Sequence, residues 1–150
     1  MPVWCPFYRI HISSIEKIQR KYCKLVYFKL HGVYPVQGYP HNQLLDELGI
    51  ISLEVRRIFT CIIFLYKLVN GYIDSSRLLD IISFHVPRIN ARNAPTFACN
   101  FARTNSHFNS PIYNMCRLYN NIQHSIDTFT INYKSFKKSC KNILFETRIF

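Results

Sequence analysis

The spacing of apolar side chains predicts an α-helix near the start of the chain. From Ser13 to about Leu30 the apolar positions recur with helical periodicity, and Gly32 follows as a typical helix end. Ser13 and Glu16 have the spacing of a capping box, in which each side chain bonds the backbone of the other residue. One face of this helix is expected to pack, and it carries the apolar residues Ile15, Ile18, Tyr22, Leu25 and Val26.

A long apolar helix is predicted next. A short helix is expected first, at residues 43–48, with Asn42 as its N-cap. Ser52 then has the position of an N-cap for a helix over residues 53–70. Because residues 58–66 are apolar on nearly every side, we expect this helix to lie at the centre of the core with other helices around it.

The second half of the chain predicts shorter elements. Ser110 and Pro111 form an N-cap and first-turn pair for one helix, and a last helix is expected at roughly residues 133–145. The latter buries Phe136, Cys140, Ile143 and Leu144 and exposes Lys134, Lys137, Lys138 and Lys141.

Little periodicity is visible near residues 84–110, so a long irregular segment is expected there. The predicted fold class is therefore mainly α, a small multi-helix domain around one central apolar helix. Its limits are placed at residues 1–138, with residues 139–150 as a tail or as the end of the last helix.

The six cysteines include no close pair, so no zinc knuckle, no metal site and no cofactor are expected. Most lie in apolar helical patterns and are expected to be buried free thiols; three disulfides in an oxidising compartment are the alternative. The first ten residues lack the apolar stretch of a signal peptide, which predicts an intracellular protein of nucleus or cytoplasm that is not secreted. The longest apolar run, at residues 58–66, is too short to span a membrane.

Charge gives the first indication of a partner. The chain has 19 Lys and Arg against 8 Asp and Glu, a formal net charge of +11, which favours an anionic partner. On the first helix a basic stripe lies opposite the apolar face, and it is either a phosphate-binding surface or a solvated face: Lys17, Arg20, Lys21 and Lys24. In the irregular segment, arginines among phenylalanines suit single-strand binding by charge and stacking, or else core phenylalanines with exposed cations: Arg88, Arg92 and Arg103.

No pattern in the sequence indicates catalysis. The eight acidic residues form no pair typical of two-metal or acid–base chemistry, and phosphate-cradling glycine motifs and a nucleophile elbow are absent from the sequence. The sequence therefore predicts a protein that is not an enzyme and has no small-molecule substrate.

Several short motifs, in order over about residues 3–138, resemble the C-terminal part of non-LTR retrotransposon reverse transcriptases of the jockey-like type. The motifs are Trp4-x-Pro6, Ile12-x-x-Ile15-Glu16-x-Ile18-Gln19-Arg20-Lys21-Tyr22, Leu48-Gly49, Ser52-Leu53-Glu54-x-Arg56-Arg57, Phe64-Leu65-Tyr66-Lys67-Leu68-Val69-Asn70-Gly71-x-Ile73-Asp74, Val86-Pro87-Arg88, Arg92, Arg103-Thr104-Asn105, Ser110-Pro111, Met115-Cys116-Arg117-Leu118, Asn120 and Asp127-x-Phe129.

The resemblance implies a region that follows the polymerase thumb, without the catalytic palm. The chain has no Asp-Asp pair, so the metal-binding carboxylates of such polymerases are not carried over. Met1 stands just before the matching block, which suggests a fragment or remnant of an element. Auxiliary contact with RNA or DNA is then expected from the basic stripe together with Arg56 and Arg57. The alternatives are a helical module that docks on a polymerase core or another protein, and a non-functional remnant.

Overall fold

The structure, a computed structural model, describes Pro6, residues 8–88 and residues 94–146. In this part of the chain the regular elements are seven helices, without a strand, which confirms the predicted mainly α fold class. They are α1 (Arg9–His31), α2 (His41–Glu47), α3 (Leu53–Val69), α4 (Ser76–Leu79), α5 (Asn105–Phe108), α6 (Pro111–Ile122) and α7 (Tyr133–Glu146).

The chain divides into two compact units, and the boundary falls within α3. Within the described residues, the amino-terminal unit comprises Pro6 and residues 8–57, and the carboxy-terminal unit comprises residues 58–88 and 94–146. The amino-terminal unit thus contains α1, α2 and the first turn of α3. The carboxy-terminal unit contains the rest of α3 and the helices that follow it.

The start of α1 differs from the prediction. The helix begins at Arg9, after Tyr8 in an extended conformation, so Ser13 lies inside it and the predicted capping box is wrong. Glu16 is instead engaged by another helix, since its Oε1 accepts a hydrogen bond from the backbone N–H of Glu54 at 2.9 Å. A local spacing rule could not anticipate a partner so far along the chain.

The ends of three helices follow the sequence signals. Gly32 adopts a left-handed φ of 71° at the end of α1 and donates its N–H to Phe28, as the glycine position predicts. Ser52 caps α3 through a hydrogen bond from the N–H of Val55 to its Oγ at 3.2 Å. Pro111 occupies the first turn of α6, which is also confirmed. For α2, however, Asn42 is not the cap, because the helix begins at His41 after Pro40.

The core of the amino-terminal unit forms where α1 packs on α2. Cys23, Leu44 and Leu45 are its buried members, surrounded by partly buried side chains of Tyr27, Tyr39, Leu48 and Ile50. The predicted packing face of α1 is therefore wrong for three of its residues. The exposed fractions are 68% for Ile18, 60% for Tyr22 and 50% for Leu25.

The physical reason lies at Gln19, which is buried although it is polar. Its amide donates to the carbonyl of Ile51 at 2.8 Å and accepts the N–H of Leu53 at 3.1 Å. Satisfying these backbone groups places Gln19 and Cys23 at the centre of the buried face of α1. The apolar strip formed by Ile18, Tyr22 and Leu25, called the α1 apolar strip below, then remains in solvent.

The carboxy-terminal unit has its core around α3, as the apolar run of residues 58–66 predicts. The buried side chains of this helix are Ile58, Cys61, Ile62, Leu65, Tyr66 and Leu68, and they are joined by Ile112, Met115, Cys116, Tyr119, Ile122, Phe136, Cys140 and Leu144 from α6 and α7. Tyr66 contributes both packing and a hydrogen bond. Its ring stacks on Phe136 with centroids 4.2 Å apart, and its hydroxyl donates to the carbonyl of Ile131 at 2.7 Å.

The predicted irregular segment contains some regular pairing. Phe84 and Phe97 form an isolated antiparallel bridge. The side-chain amide of Asn120 bonds both backbone groups of Phe97. Its Oδ1 accepts the N–H of Phe97 at 3.1 Å, and its Nδ2 donates to the Phe97 carbonyl at 2.9 Å. One turn away, Gln123 accepts the N–H and the hydroxyl of Thr96 at 2.7 and 2.8 Å. The side-chain amides of Asn120, in α6, and Gln123, just after it, therefore take the place of a partner strand.

Candidate nucleic-acid interface

The basic stripe of α1 lies away from the buried face of that helix. Lys17, Arg20 and Lys21 are exposed, whereas Lys24 is half-buried with its Nζ 6.0 Å from the ring centroid of Tyr34. At a rise of about 1.5 Å per residue the stripe is roughly 10 Å long. It thus presents three exposed cations and one partly covered cation along a single helix.

Two side chains of α1 anchor the helix that carries this stripe. Gln19 bonds both Ile51 and Leu53, and Glu16 accepts the N–H of Glu54. These bonds fix the rotation of α1 about its own axis, because both anchors must face the start of α3. The stripe is therefore held on a defined side of the amino-terminal unit.

Arg57 lies in a different environment from the stripe. Its Nη2 is 3.7 Å from Oε1 of Glu16, and Nε2 of His41 is 3.8 Å from the other oxygen of the same carboxylate. Arg57, Glu16 and His41 are all half-buried, so Glu16 already opposes the positive charge of Arg57. Arg56, by contrast, is exposed. Of the two arginines predicted to assist the stripe, Arg56 is exposed and Arg57 is half-buried beside Glu16.

Burial and the nearby charge of Arg20 both lower the pKa of His41 below the ordinary value of 6.5. Glu16 acts in the opposite direction but does not outweigh them. The neutral imidazole is therefore the form that this cluster favours.

The arginines of the irregular segment do not belong to the α1 stripe. Arg88 and Arg103 are exposed, and Arg92 lies outside the described residues. Of the phenylalanines in the same segment, Phe97 is fully buried, while Phe101 is 90% exposed. The stacking interpretation thus fails for Phe97, which belongs to the core, and stays a prediction for Phe101.

A cation that the sequence did not single out contacts another of these phenylalanines. The guanidinium carbon of Arg117, on α6, lies 4.1 Å from the ring centroid of Phe108, which is cation–π geometry. The same side chain donates to Oδ1 of Asn114 at 3.0 Å. Because Arg117 and Phe108 meet only through the packing of α5 on α6, no local sequence pattern indicates this pair.

A second basic surface occurs on α7. Lys134, Lys137, Lys138 and Lys141 are all exposed, as the sequence predicts. They recur at intervals of three and four residues, so they share one face of the helix. We call this set the α7 lysine face.

The cysteines confirm the prediction of buried free thiols. Among the described cysteines, Cys23, Cys61, Cys116 and Cys140 are buried thiols outside any disulfide, and Cys99 is a half-buried one. Burial raises the pKa of Cys116 and of Cys140 to about 12. Within residues 8–88 and 94–146, no three His, Cys, Asp or Glu side chains are grouped as metal ligands would be.

Comparison with known proteins gives no match to a family model, to a curated protein or to a solved structure. The resemblance to retrotransposon reverse transcriptases therefore stays a prediction. None of the helices within the described residues combines the length and apolar character needed to cross a bilayer.

Proposed function

We propose that this chain is a non-catalytic helical domain that contacts the phosphate backbone of RNA or DNA through α1. The observation that carries the proposal is the row of exposed cations Lys17, Arg20 and Lys21 on a helix held in place by Gln19 and Glu16. Cations fixed on a rigid element neutralise phosphates and release counterions, which is the main source of sequence-independent binding. The net charge of +11 supports an anionic ligand of this kind.

The ordered motifs support the same proposal from another direction. They resemble a part of retroelement polymerases that works beside a nucleic-acid substrate, and one of them, from Ile12 to Tyr22, lies in α1. On this proposal the chain would be a fragment that retains an auxiliary contact without the polymerase chemistry.

The experiment that tests the proposal is fluorescence anisotropy of labelled RNA and DNA, single-stranded and duplex, over about 50 to 200 mM salt. The test variant changes Lys17, Arg20 and Lys21 to Gln, and its matched control changes Lys17 and Lys21 to Arg, which keeps the charge. Wild type should bind with an affinity that falls as salt rises. The Gln variant should lose affinity, and the slope of log K against log salt should flatten by about 0.7 to 0.9 per lost phosphate contact.

The result that overturns the proposal is a wild-type chain that circular dichroism shows to be helical and that binds none of these probes. Equal binding by wild type and Gln variant also overturns the assignment to α1.

A second candidate function is favoured by the α1 apolar strip. Ile18, Tyr22 and Leu25 are each at least half exposed, and contiguous apolar side chains on a helix suit docking on another protein, such as a polymerase core. Docking of this kind buries apolar area and does not weaken with salt as phosphate contacts do. Changing Ile18 and Leu25 to Ser should then leave nucleic-acid binding intact and abolish association with such a partner.

A further inference from the structure

The α7 lysine face has an orientation fixed by the core. Phe136, Cys140 and Leu144 are fully or almost fully buried on another side of α7. Asn132 also fixes the start of the helix, since its Oδ1 accepts the N–H of Ser135 at 3.0 Å. At 3.6 residues per turn, Lys134, Lys137, Lys138 and Lys141 fall within about 100° of the helix circumference. Four cations are thus held side by side on an ordered helix.

This arrangement does not serve the stability of the helix. Like charges at i, i+3 and i, i+4 repel one another, and a cation in the first turn, such as Lys134, meets the positive end of the helix dipole. The first turn of α7 contains no acidic residue. Within the described residues, the salt bridge of Arg57 with Glu16 and the contact of His41 with Glu16 involve none of these lysines. Positions that break a local stability rule on an otherwise consistent element are expected at functional sites.

The chemistry of the face selects its ligand. The lysine side chains are compact point charges with three donors each, which suits phosphate oxygens without base specificity. From Lys134 to Lys141 the face extends for about 10 Å, or about three steps of a nucleic-acid strand at roughly 3.4 Å each. Phe145, whose ring lies 5.7 Å from the Nζ of Lys141, is half-buried. The face therefore lacks the exposed apolar side chains that insert into a lipid surface.

We propose that the α7 lysine face is a second nucleic-acid contact, which binds the phosphodiester backbone through Lys134, Lys137, Lys138 and Lys141. This inference rests on the proposed function, because it assigns a further contact to the same class of ligand. It places a binding site in the carboxy-terminal unit, whereas the α1 stripe belongs to the amino-terminal unit.

The test compares three forms of the chain in the same anisotropy assay, alongside the α1 Gln variant, with short RNA and DNA, single-stranded and duplex, as probes. One variant changes the four lysines of the α7 face to Gln, the second changes them to Arg, and the third is wild type. The Gln variant should weaken binding, and on duplex probes its slope of log K against log salt should be shallower by up to about 3.6, at about 0.9 per phosphate contact. The Arg variant should bind like wild type, because it keeps every charge. Circular dichroism should show all three equally helical.

The outcomes separate this inference from the proposed function. If the α7 Gln variant binds as wild type does while the α1 Gln variant has lost affinity, the α7 assignment is wrong and the α1 proposal stands. If only the α7 Gln variant loses affinity, the α7 assignment stands and the α1 proposal fails. Wild type that binds none of the probes overturns both. Binding to phosphatidylserine vesicles that is lost in the α7 Gln variant, without any nucleic-acid binding, overturns the inference in favour of a lipid surface.

Discussion

Glu16 accepts the backbone N–H of Glu54 at 2.9 Å, so a carboxylate on one helix caps the first turn of another. The neighbouring N–H of Leu53 is taken by Gln19, and that of Val55 by Ser52. The first N–H groups of a helix have no partner within the helix, and a negative side chain also favours its positive end. The start of α3 is thus satisfied mainly by side chains of α1.

Removing the amide of Gln19 should therefore destabilise the amino-terminal unit. Gln19→Ala leaves the carbonyl of Ile51 and the N–H of Leu53 without partners in a partly buried place, which costs about 1–3 kcal/mol. Urea unfolding followed by circular dichroism measures this loss. Gln43→Ala is the matched control, because Gln43 is an exposed glutamine on a helix. Equal midpoints for the two variants would contradict the assigned role.

The sequence predicts α1 as a helix but not the side of it that packs. Periodicity treats Gln19 as polar and therefore as exposed, although its partners are backbone groups 32 and 34 residues away. For the same reason the spacing of Ser13 and Glu16 indicates a capping box, while Glu16 bonds a residue 38 positions away. Signals that act within one turn, such as Gly32, Ser52 and Pro111, do predict where helices begin or end.

In the candidate site, too, the sequence predicts what depends on local position and misses what depends on contacts between distant residues. Exposure of Lys17, Arg20 and Lys21 follows from their position on an amphipathic helix, which the sequence contains in full. The surroundings of Arg57 do not, because Glu16 and His41 reach it from other elements.

Stability should fall in mildly acidic solution because of His41. Burial and Arg20 lower its pKa in the folded state, so the unfolded chain, with a pKa near 6.5, binds the proton more strongly. The contribution of neutral His41 to stability is complete above about pH 6.5, the pKa of the unfolded chain. It is lost as the pH decreases toward the lower pKa of His41 in the folded state. His41→Gln should flatten this dependence in urea midpoints measured between about pH 7.5 and 5.5.

The control for this measurement is His124→Gln, which changes an exposed histidine and should leave the wild-type pH dependence in place. A His41→Gln profile as steep as wild type would show that other groups cause the loss.

The paired hydrogen bonds of Asn120 predict that replacing Asn120 destabilises the fold much more than replacing its neighbour Asn121. Asn120→Ala leaves both backbone groups of Phe97 without these bonds, and Phe97 is fully buried, so the expected loss is about 1–3 kcal/mol. Asn121→Ala, at an exposed position on the same helix, should change stability by less than about 0.5 kcal/mol. Urea unfolding of both variants checks the prediction, and similar losses would contradict it.

Thiol reactivity should report on burial in the carboxy-terminal unit. With pKa values of about 12, Cys116 and Cys140 have almost no thiolate near neutral pH, and both are buried. Iodoacetamide should modify the half-buried Cys99 before Cys116 and Cys140 in the native chain, and peptide mapping by mass spectrometry gives the order. In urea all three should react at similar rates. Native modification of Cys140 as fast as Cys99 would contradict this packing.

The bonds from Gln19 to the start of α3 also order the events of folding. These bonds close a loop of more than thirty residues, and closing the loop costs conformational entropy. The first turn of α3 gains its hydrogen bonds to Gln19 only when this cost has been overcome. We expect the middle of α3 to form by local contacts, and its first turn to gain these hydrogen bonds only once α1 has packed against it. Amide hydrogen exchange at Leu53 and Glu54 therefore reads out the docking of α1, separately from the unfolding of the helix to which these residues belong.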